Sequence, residues 1–140
     1  GIPGSAAVPK IALVAPPAPF AALDGARYGP DGVDVVARVI SMGNCHRAFA
    51  LTAAMCLAVA ARIEGTLVHE CTSGATRAYG RPPSVEAGPA DPATIIRLGH
   101  PSGVLPIAAA VGVRDGAPWA ERVTVYRTAR RLMEGHVRVP

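Results

Sequence analysis

The feature that most constrains this chain is an alanine-rich run, between Arg47 and Arg62, that carries no charge. Alanine, leucine and methionine favour an α-helix, and a helix without a charged face can bury all of its sides. We predict a central buried helix that begins near Asn44, as the N-cap, and lasts to about Ile63. Gly65 follows and is suited to end it.

The amino end of this predicted helix is the part of the run that carries polar chemistry. It holds Asn44, His46 and Arg47, beside the free N–H groups and the positive end of the helix dipole. Such an end attracts carboxylate or phosphate, and the imidazole and guanidinium add further donors. We therefore expect the chain to bind an acidic small molecule.

Length and composition fit one globular domain over residues 1–140, because half of the residues are apolar and can form a sizeable core. The net charge of +4 comes from 13 arginines and Lys10, which suits acidic ligands and bidentate carboxylate binding. A GC-rich genome would enrich arginine equally. The charges form no stripe and aromatic residues make up 4% of the chain, so nucleic acid is a poor fit.

The sequence gives no sign of a signal peptide or of an apolar run as long as the roughly 18 to 20 residues of a membrane span. Three cysteines, Cys45, Cys56 and Cys71, lack C-x-x-C spacing and the density of a secreted disulfide scaffold. We expect reduced thiols, with Cys56 in the core, and a cytoplasmic protein without membrane association.

Apolar runs separated by glycine and proline predict strands before and after the helix. Because these strands do not alternate with helices, they indicate an α+β fold with a sheet around one buried helix. The predicted strands cover 8–15, 33–40, 66–71, 94–98, 104–113, 123–128 and 136–139. A loop at 72–93 and a helical turn at 130–134 complete the prediction.

The 99–103 turn, Gly-His-Pro-Ser-Gly, joins two of the predicted strands as a hairpin. His100, Ser102 and the backbone N–H groups could form a nest for a carboxylate, and an ordinary turn would have the same composition. Both interpretations stay open on the residues alone.

The residues offer little for metal binding or for catalysis. The four histidines and the cysteines lack the spacing of metal ligands, so we expect no metal. Cys45 could be a thiol activated by His46, but adjacent side chains diverge, which favours an inert cysteine. With Lys10 as the single lysine and no paired acids, we assign no catalytic residue and expect the chemistry to need groups from elsewhere.

Several segments together resemble the PrpF family, the 2-methylaconitate isomerases and their relatives with the diaminopimelate-epimerase-like fold. The resemblance implies a two-domain, cofactor-independent isomerase that moves a proton and a double bond in an unsaturated polycarboxylic acid. This chain resembles most of the carboxy-terminal half, which implies a missing amino-terminal domain that holds the catalytic lysine and cysteine. The matching segments are 8–12, 41–44 with 46–48, 65–66, 99–103 and 127–135.

Substrate binding is the role that the resemblance implies for residues of this chain. An epimerase would start the helix with a cysteine, but 50–53 reads Ala-Leu-Thr-Ala, which argues against epimerisation. Two alternatives remain: a non-catalytic anion-binding or accessory module of propionate metabolism, and a truncated remnant that associates as a homo-oligomer to cover a sheet edge. The implied substrate-binding residues are Ser41, Met42, Gly43, Asn44, His46, His100, Ser102 and Gly103.

Overall fold

The computed structural model describes residues 9–72, 95–126, 132–136 and 138. The strands in these ranges are β1 (Ile11–Ala15), β2 (Phe20–Ala21), β3 (Arg27–Tyr28), β4 (Val35–Ser41), β5 (Asn44–Cys45), β6 (Ile95–His100), β7 (Gly103–Arg114) and β8 (Ala117–Val125). The helices are α1 (Leu51–Ala60) and α2 (Leu67–Cys71), and a 3₁₀ turn covers Pro30–Gly32.

The main sheet is mixed, with strand order β1-β4-β6-β7-β8 and with β5 paired to β4. β4 and β6 are parallel, whereas the other neighbours in the sheet are antiparallel. Parallel neighbours need a crossover connection, and α1 lies in the one between β4 and β6. β2 and β3 form a separate two-stranded ribbon.

The core lies between α1 and the face of the sheet that carries alternate residues of β4. Val35, Ala37 and Val39 are at most 1% exposed, because successive side chains of a strand point to opposite faces. Small residues on α1 allow the helix to approach the sheet closely. The same core cluster contains Ala54, Leu57, Ala58, Ala61, Leu98, Ile107 and Ala109.

The prediction of a helix buried on all sides is wrong in extent. α1 buries its sheet-facing side, but Thr52 and Cys56 on its outer side are exposed. An uncharged surface can remain in contact with solvent, since folded proteins expose much apolar area. The helix also begins at Leu51, with Ala50 as its N-cap, and not near Asn44.

The segment predicted as a strand at 66–71 is the short helix α2. The Thr66 hydroxyl oxygen accepts a hydrogen bond from the N–H of His69 at 3.1 Å, so Thr66 caps the helix. The same hydroxyl lies 2.7 Å from the carbonyl oxygen of Ala60 at the end of α1. Local capping therefore outweighs the strand propensity of the apolar residues Leu67 and Val68.

The strands near the carboxy end are longer than predicted. β7 and β8 continue towards each other and meet at Asp115 and Gly116, whose φ angles of 53° and 77° fit a type I′ turn. The predicted helical turn at 130–134 and strand at 136–139 are not seen at 132–136 and 138, which have no regular structure. The other residues of those two segments, and 73–93 of the predicted loop, lie outside the described residues.

A buried carboxylate joins the start of β4 to β6. Asp34 is 8% exposed, and it accepts hydrogen bonds from Arg97 at the backbone N–H (2.7 Å), at Nε (3.2 Å) and at Nη2 (2.8 Å). This hydrogen bonding raises the pKa of the Arg97 guanidinium. Arg97 also donates to the backbone oxygen of Asp31 at 2.7 Å. The pair fixes the register of β6 against the loop before β4.

Replacing Asp34 by alanine should lower the free energy of unfolding by about 2 to 3 kcal/mol, because several charge-assisted hydrogen bonds are lost. Urea denaturation followed by circular dichroism measures this change. The matched control is Asp31→Ala, which keeps the backbone oxygen that Arg97 contacts and should cost less than about 0.5 kcal/mol. Equal losses in both variants would contradict the assignment.

Candidate functional site

Two strands share one edge of β4, one after the other. Ile40 pairs with β1 on one edge and with Cys45 of β5 on the other. Val36 pairs with β1 on the same first edge and with Gly99 of β6 on the other. β5 and β6 therefore lie end to end along the second edge. This arrangement brings the segment after β5 next to the turn after β6.

A direct contact joins these two segments. The Ser102 hydroxyl donates a hydrogen bond to the carbonyl oxygen of Arg47 at 2.5 Å. α1 begins at Leu51, four residues after Arg47, and its N-cap Ala50 provides no side-chain hydrogen bond. Arg47, which precedes the amino end of α1 in the sequence, and the 99–103 turn thus form one polar region, which we call the turn site.

Residues 41–44 form a two-residue β-hairpin and not a helix tip. Met42 and Gly43 have φ angles of 52° and 74°, as a type I′ turn requires, and Ser41 pairs with Asn44. The Asn44 amide donates to the carbonyl oxygen of Met42 at 3.1 Å. Asn44 is therefore a strand residue, and its prediction as the N-cap is wrong.

The eight predicted site residues fall into two groups. The turn site holds His100, Ser102 and Gly103, with His46 in the adjacent segment, next to Arg47. The other four, Ser41 to Asn44, form the hairpin tip. This tip lies about 13 Å farther along β4 if each strand residue advances the chain by about 3.3 Å. Ser41, His100 and Gly103 are buried, His46 is half-buried, and Met42, Gly43, Asn44 and Ser102 are exposed.

His100 is held as a neutral hydrogen-bond donor. Its Nδ1 accepts the N–H of Ser102 at 3.2 Å, so the proton of the neutral ring is on Nε2. Burial lowers the pKa of His100, and the positive charge of Arg38 lowers it further. Near neutral pH the imidazole therefore offers an uncharged N–H.

Arg38 is a cation beside the turn that the sequence did not reveal as part of a site. Its Nη1 donates to the carbonyl oxygen of Ala37 at 2.8 Å and lies 3.5 Å from that of Gly99. In the sequence Arg38 is one polar position in an alternating strand pattern, which is typical of a solvent-facing residue. Only the pairing of β4 with β6 brings it to the turn.

Other chemistry is limited in the part of the chain that the structure describes. There, no three His, Cys, Asp or Glu side chains are grouped so as to hold a metal ion. Cys45 is exposed, and its sulfur lies 3.8 Å from the carbonyl oxygen of His46, its neighbour in sequence. Among the described helices, none has the length and apolar character needed to cross a membrane.

The fold is shared with a known class of protein. Among solved structures, that of a methylitaconate-delta-isomerase is similar to this chain, with a TM-score of 0.66 and 35% identity over 95% of this chain and 30% of the other. The predicted α+β fold of the diaminopimelate-epimerase kind, with its mixed curved sheet, is thereby confirmed. Residues 3–140 match the family model described as PrpF protein. The chain belongs to the PrpF family, as its sequence resemblance predicts.

The chain is also similar to proteins named as isomerases. It is 39% identical over 132 residues to a 2-methyl-aconitate isomerase of Shewanella oneidensis, over 94% of this chain and 29% of that protein. It is 36% identical over 136 residues to a 3-methylitaconate isomerase of Eubacterium barkeri, over 96% and 31% of the two proteins. The chain spans less than a third of the length of these relatives.

The lowered pKa of His100 has a consequence for stability against acid. The unfolded chain binds a proton at this residue near the ordinary pKa of about 6.5, whereas the folded chain binds it only at lower pH. The contribution of His100 should be complete above pH 6.5 and should decline as the pH falls below it.

Denaturation at a series of pH values, for the protein and for His100→Asn, measures this decline. The asparagine oxygen can still accept the N–H of Ser102 but does not titrate. The difference in unfolding free energy between the two proteins should be constant above pH 6.5 and should change in favour of the variant below it. Parallel curves down to pH 4 would contradict the assignment.

Proposed function

We propose that this chain supplies carboxylate binding to a cofactor-independent isomerase, which moves a proton and a double bond in an unsaturated di- or tricarboxylic acid. The relatives named as 2-methyl-aconitate and 3-methylitaconate isomerases support this reaction class. The observation that carries the role of this chain is the contact of Ser102 with Arg47, which joins donors from two distant segments in the turn site.

Each group of the turn site has a proposed part in holding a carboxylate. Arg47 is exposed, and its guanidinium can bind a carboxylate with two parallel hydrogen bonds. His100 donates from Nε2 without adding a charge. The free N–H groups at the start of α1 favour negative charge through the helix dipole. Together these donors hold an acid in one orientation.

The same donors can stabilise the intermediate of the reaction. Removal of a proton from the carbon next to the double bond leaves a carbanion that is delocalised towards a carboxylate as an enolate. Donors that are fixed in advance stabilise this added charge. Return of a proton to the other end of the three-carbon unit gives the isomer and leaves no net change in atoms or electrons.

We place the proton-transferring groups outside this chain. Among the described residues, the buried acid is Asp34, and it forms an ion pair with Arg97. Lys10 is the single lysine of the chain. A general base and acid would come from the part of the relatives' length that this chain does not span. We propose that the hairpin tip, Ser41 to Asn44, borders the outer side of the substrate.

The complete protein should isomerise 2-methylaconitate or 3-methylitaconate without an added cofactor. In D₂O, proton NMR should show formation of the isomer with deuterium at the carbon that receives the proton, because the removed proton exchanges with solvent. Absence of conversion for both acids, in a protein shown to be folded by circular dichroism, would contradict the proposed reaction.

Replacement of Arg47 by alanine in the complete protein should lower kcat/KM by about 10-fold or more, through loss of a charge-assisted pair with the substrate. The matched control is Arg114→Ala, because Arg114 is also exposed but lies at the far end of β7. Steady-state kinetics of the two variants give the comparison. An equal effect, or no effect of Arg47→Ala, would remove Arg47 from the site.

A further inference from the structure

The ribbon of β2 and β3, with its connecting loop, lies directly against the 99–103 turn. The N–H of Leu23 donates to the carbonyl oxygen of Pro101 at 2.8 Å. Because proline has no N–H of its own, this carbonyl is the backbone hydrogen-bonding group that Pro101 offers. The loop of the ribbon thus binds the apex of the turn.

The two aromatic rings of the ribbon lie at the two glycines that flank the turn. A Cβ atom on Gly99 would lie 2.8 Å from a ring carbon of Phe20, so the ring occupies the space of a side chain. A Cβ atom on Gly103 would lie 3.1 Å from the Tyr28 hydroxyl oxygen. Gly103 also has a φ of 120°, which disfavours other residues. Each glycine therefore permits a close approach by one ring.

The ribbon is stabilised by contacts among its own residues. The rings of Phe20 and Tyr28 stack with centroids 5.1 Å apart and planes inclined by 16°. The N–H of Ala22 donates to the carbonyl oxygen of Ala26 at 2.8 Å, and the Asp24 carboxylate accepts the N–H of Ala26 at 3.0 Å. Because these contacts restrict the loop between β2 and β3, the loop can hold the N–H of Leu23 in a fixed direction.

Arg38 ties the ribbon to the sheet beneath the turn. Its guanidinium carbon lies 5.7 Å from the centroid of the Phe20 ring, within the range of a cation–π contact. The same guanidinium reaches the carbonyl oxygens of Ala37 and Gly99. The ring of Phe20 therefore lies against both a cation and the backbone of β6.

We infer that Phe20 and Tyr28 are positioning residues, which fix the 99–103 turn from behind and thereby set the affinity of the turn site for a carboxylate. The inference rests on the proposed function, because it assumes that this turn holds the substrate. Neither ring needs to touch the substrate. Gly99 faces away from α1, since it alternates with the core residue Leu98, so Phe20 acts from the opposite face of the sheet.

Positioning has a kinetic signature that loss of stability does not share. Weaker carboxylate binding by a displaced turn raises KM, and weaker stabilisation of the enolate lowers kcat in addition. Partial unfolding instead removes active protein, which lowers the apparent kcat and leaves KM as it was. A raised KM therefore separates positioning from partial unfolding.

The experiment uses the complete protein with Phe20→Ala, and with Tyr28→Phe as a milder change that removes one oxygen atom. Phe20→Ala should raise KM about 10-fold, and Tyr28→Phe should raise KM about 2- to 5-fold. The matched control is Trp119→Ala. Trp119 is half-exposed and has Arg114 at 4.8 Å from its ring, but its partner Gly112 lies nine residues along β7 from the turn.

Hydrogen exchange supplies a second readout that does not depend on activity. The amides of Leu23 and Ser102 donate hydrogen bonds at the contact and within the turn, so both should exchange faster in Phe20→Ala and not in Trp119→Ala. Two-dimensional NMR, or mass spectrometry of peptides covering these residues, measures the rates.

The outcomes separate this inference from the proposed function. A raised KM together with faster exchange supports positioning. If the native protein is active and KM is unchanged in both Phe20→Ala and Tyr28→Phe, the positioning role is overturned and the proposed function remains. If the native protein is inactive, the proposed function is overturned, and hydrogen exchange alone tests whether the rings fix the turn. Faster exchange at Leu23 and Ser102 in Phe20→Ala supports that role, and unchanged exchange overturns it.

Discussion

The arrangement around β4 is the constraint on which the rest of this structure depends. Its residues alternate, so that Val35, Ala37 and Val39 pack under α1 while the other face is free to meet the ribbon. One edge pairs with β1 from Val36 to Ile40, and the other edge pairs first with β6 and then with β5. Because backbone hydrogen bonds fix this order, the chain before α1 must meet the turn after β6. The turn site follows from strand pairing and not from any motif of adjacent residues.

The polar chemistry of the site is set by burial and by close backbone approach. His100 is uncharged because it is buried near Arg38, and its tautomer is fixed by the N–H of Ser102. Gly99 and Gly103 lack the side chains that would keep the ribbon away from the turn. A turn that could equally have been an ordinary connection therefore gains fixed donors, and fixed donors are what stabilisation of a developing charge requires.

Sequence patterns located most of the regular elements, and they failed where a local signal competed with a stronger one. The Asp115–Gly116 pair is a strong hairpin signal, and it would have predicted the continuous hairpin of β7 and β8. Met42–Gly43 is a weak version of the same signal, since methionine rarely adopts a positive φ. In the sequence, this weak hairpin signal is masked by the N-cap pattern at Asn44. Likewise, the apolar residues after Thr66 favour the prediction of a strand, although the hydroxyl of Thr66 caps a helix in the structure.

By itself the sequence determined that this chain builds an α+β core around an uncharged helix, because hydrophobic periodicity and the absence of charge are local properties. It also determined the family, through short segments whose order along the chain is specific. Only the tertiary structure decided that α1 starts at Leu51, that Arg47 meets Ser102, and that Arg38 and the aromatic ribbon lie at the turn. These are contacts between residues up to 79 positions apart, as for Phe20 and Gly99, and they depend on which strands share an edge, which no local pattern encodes.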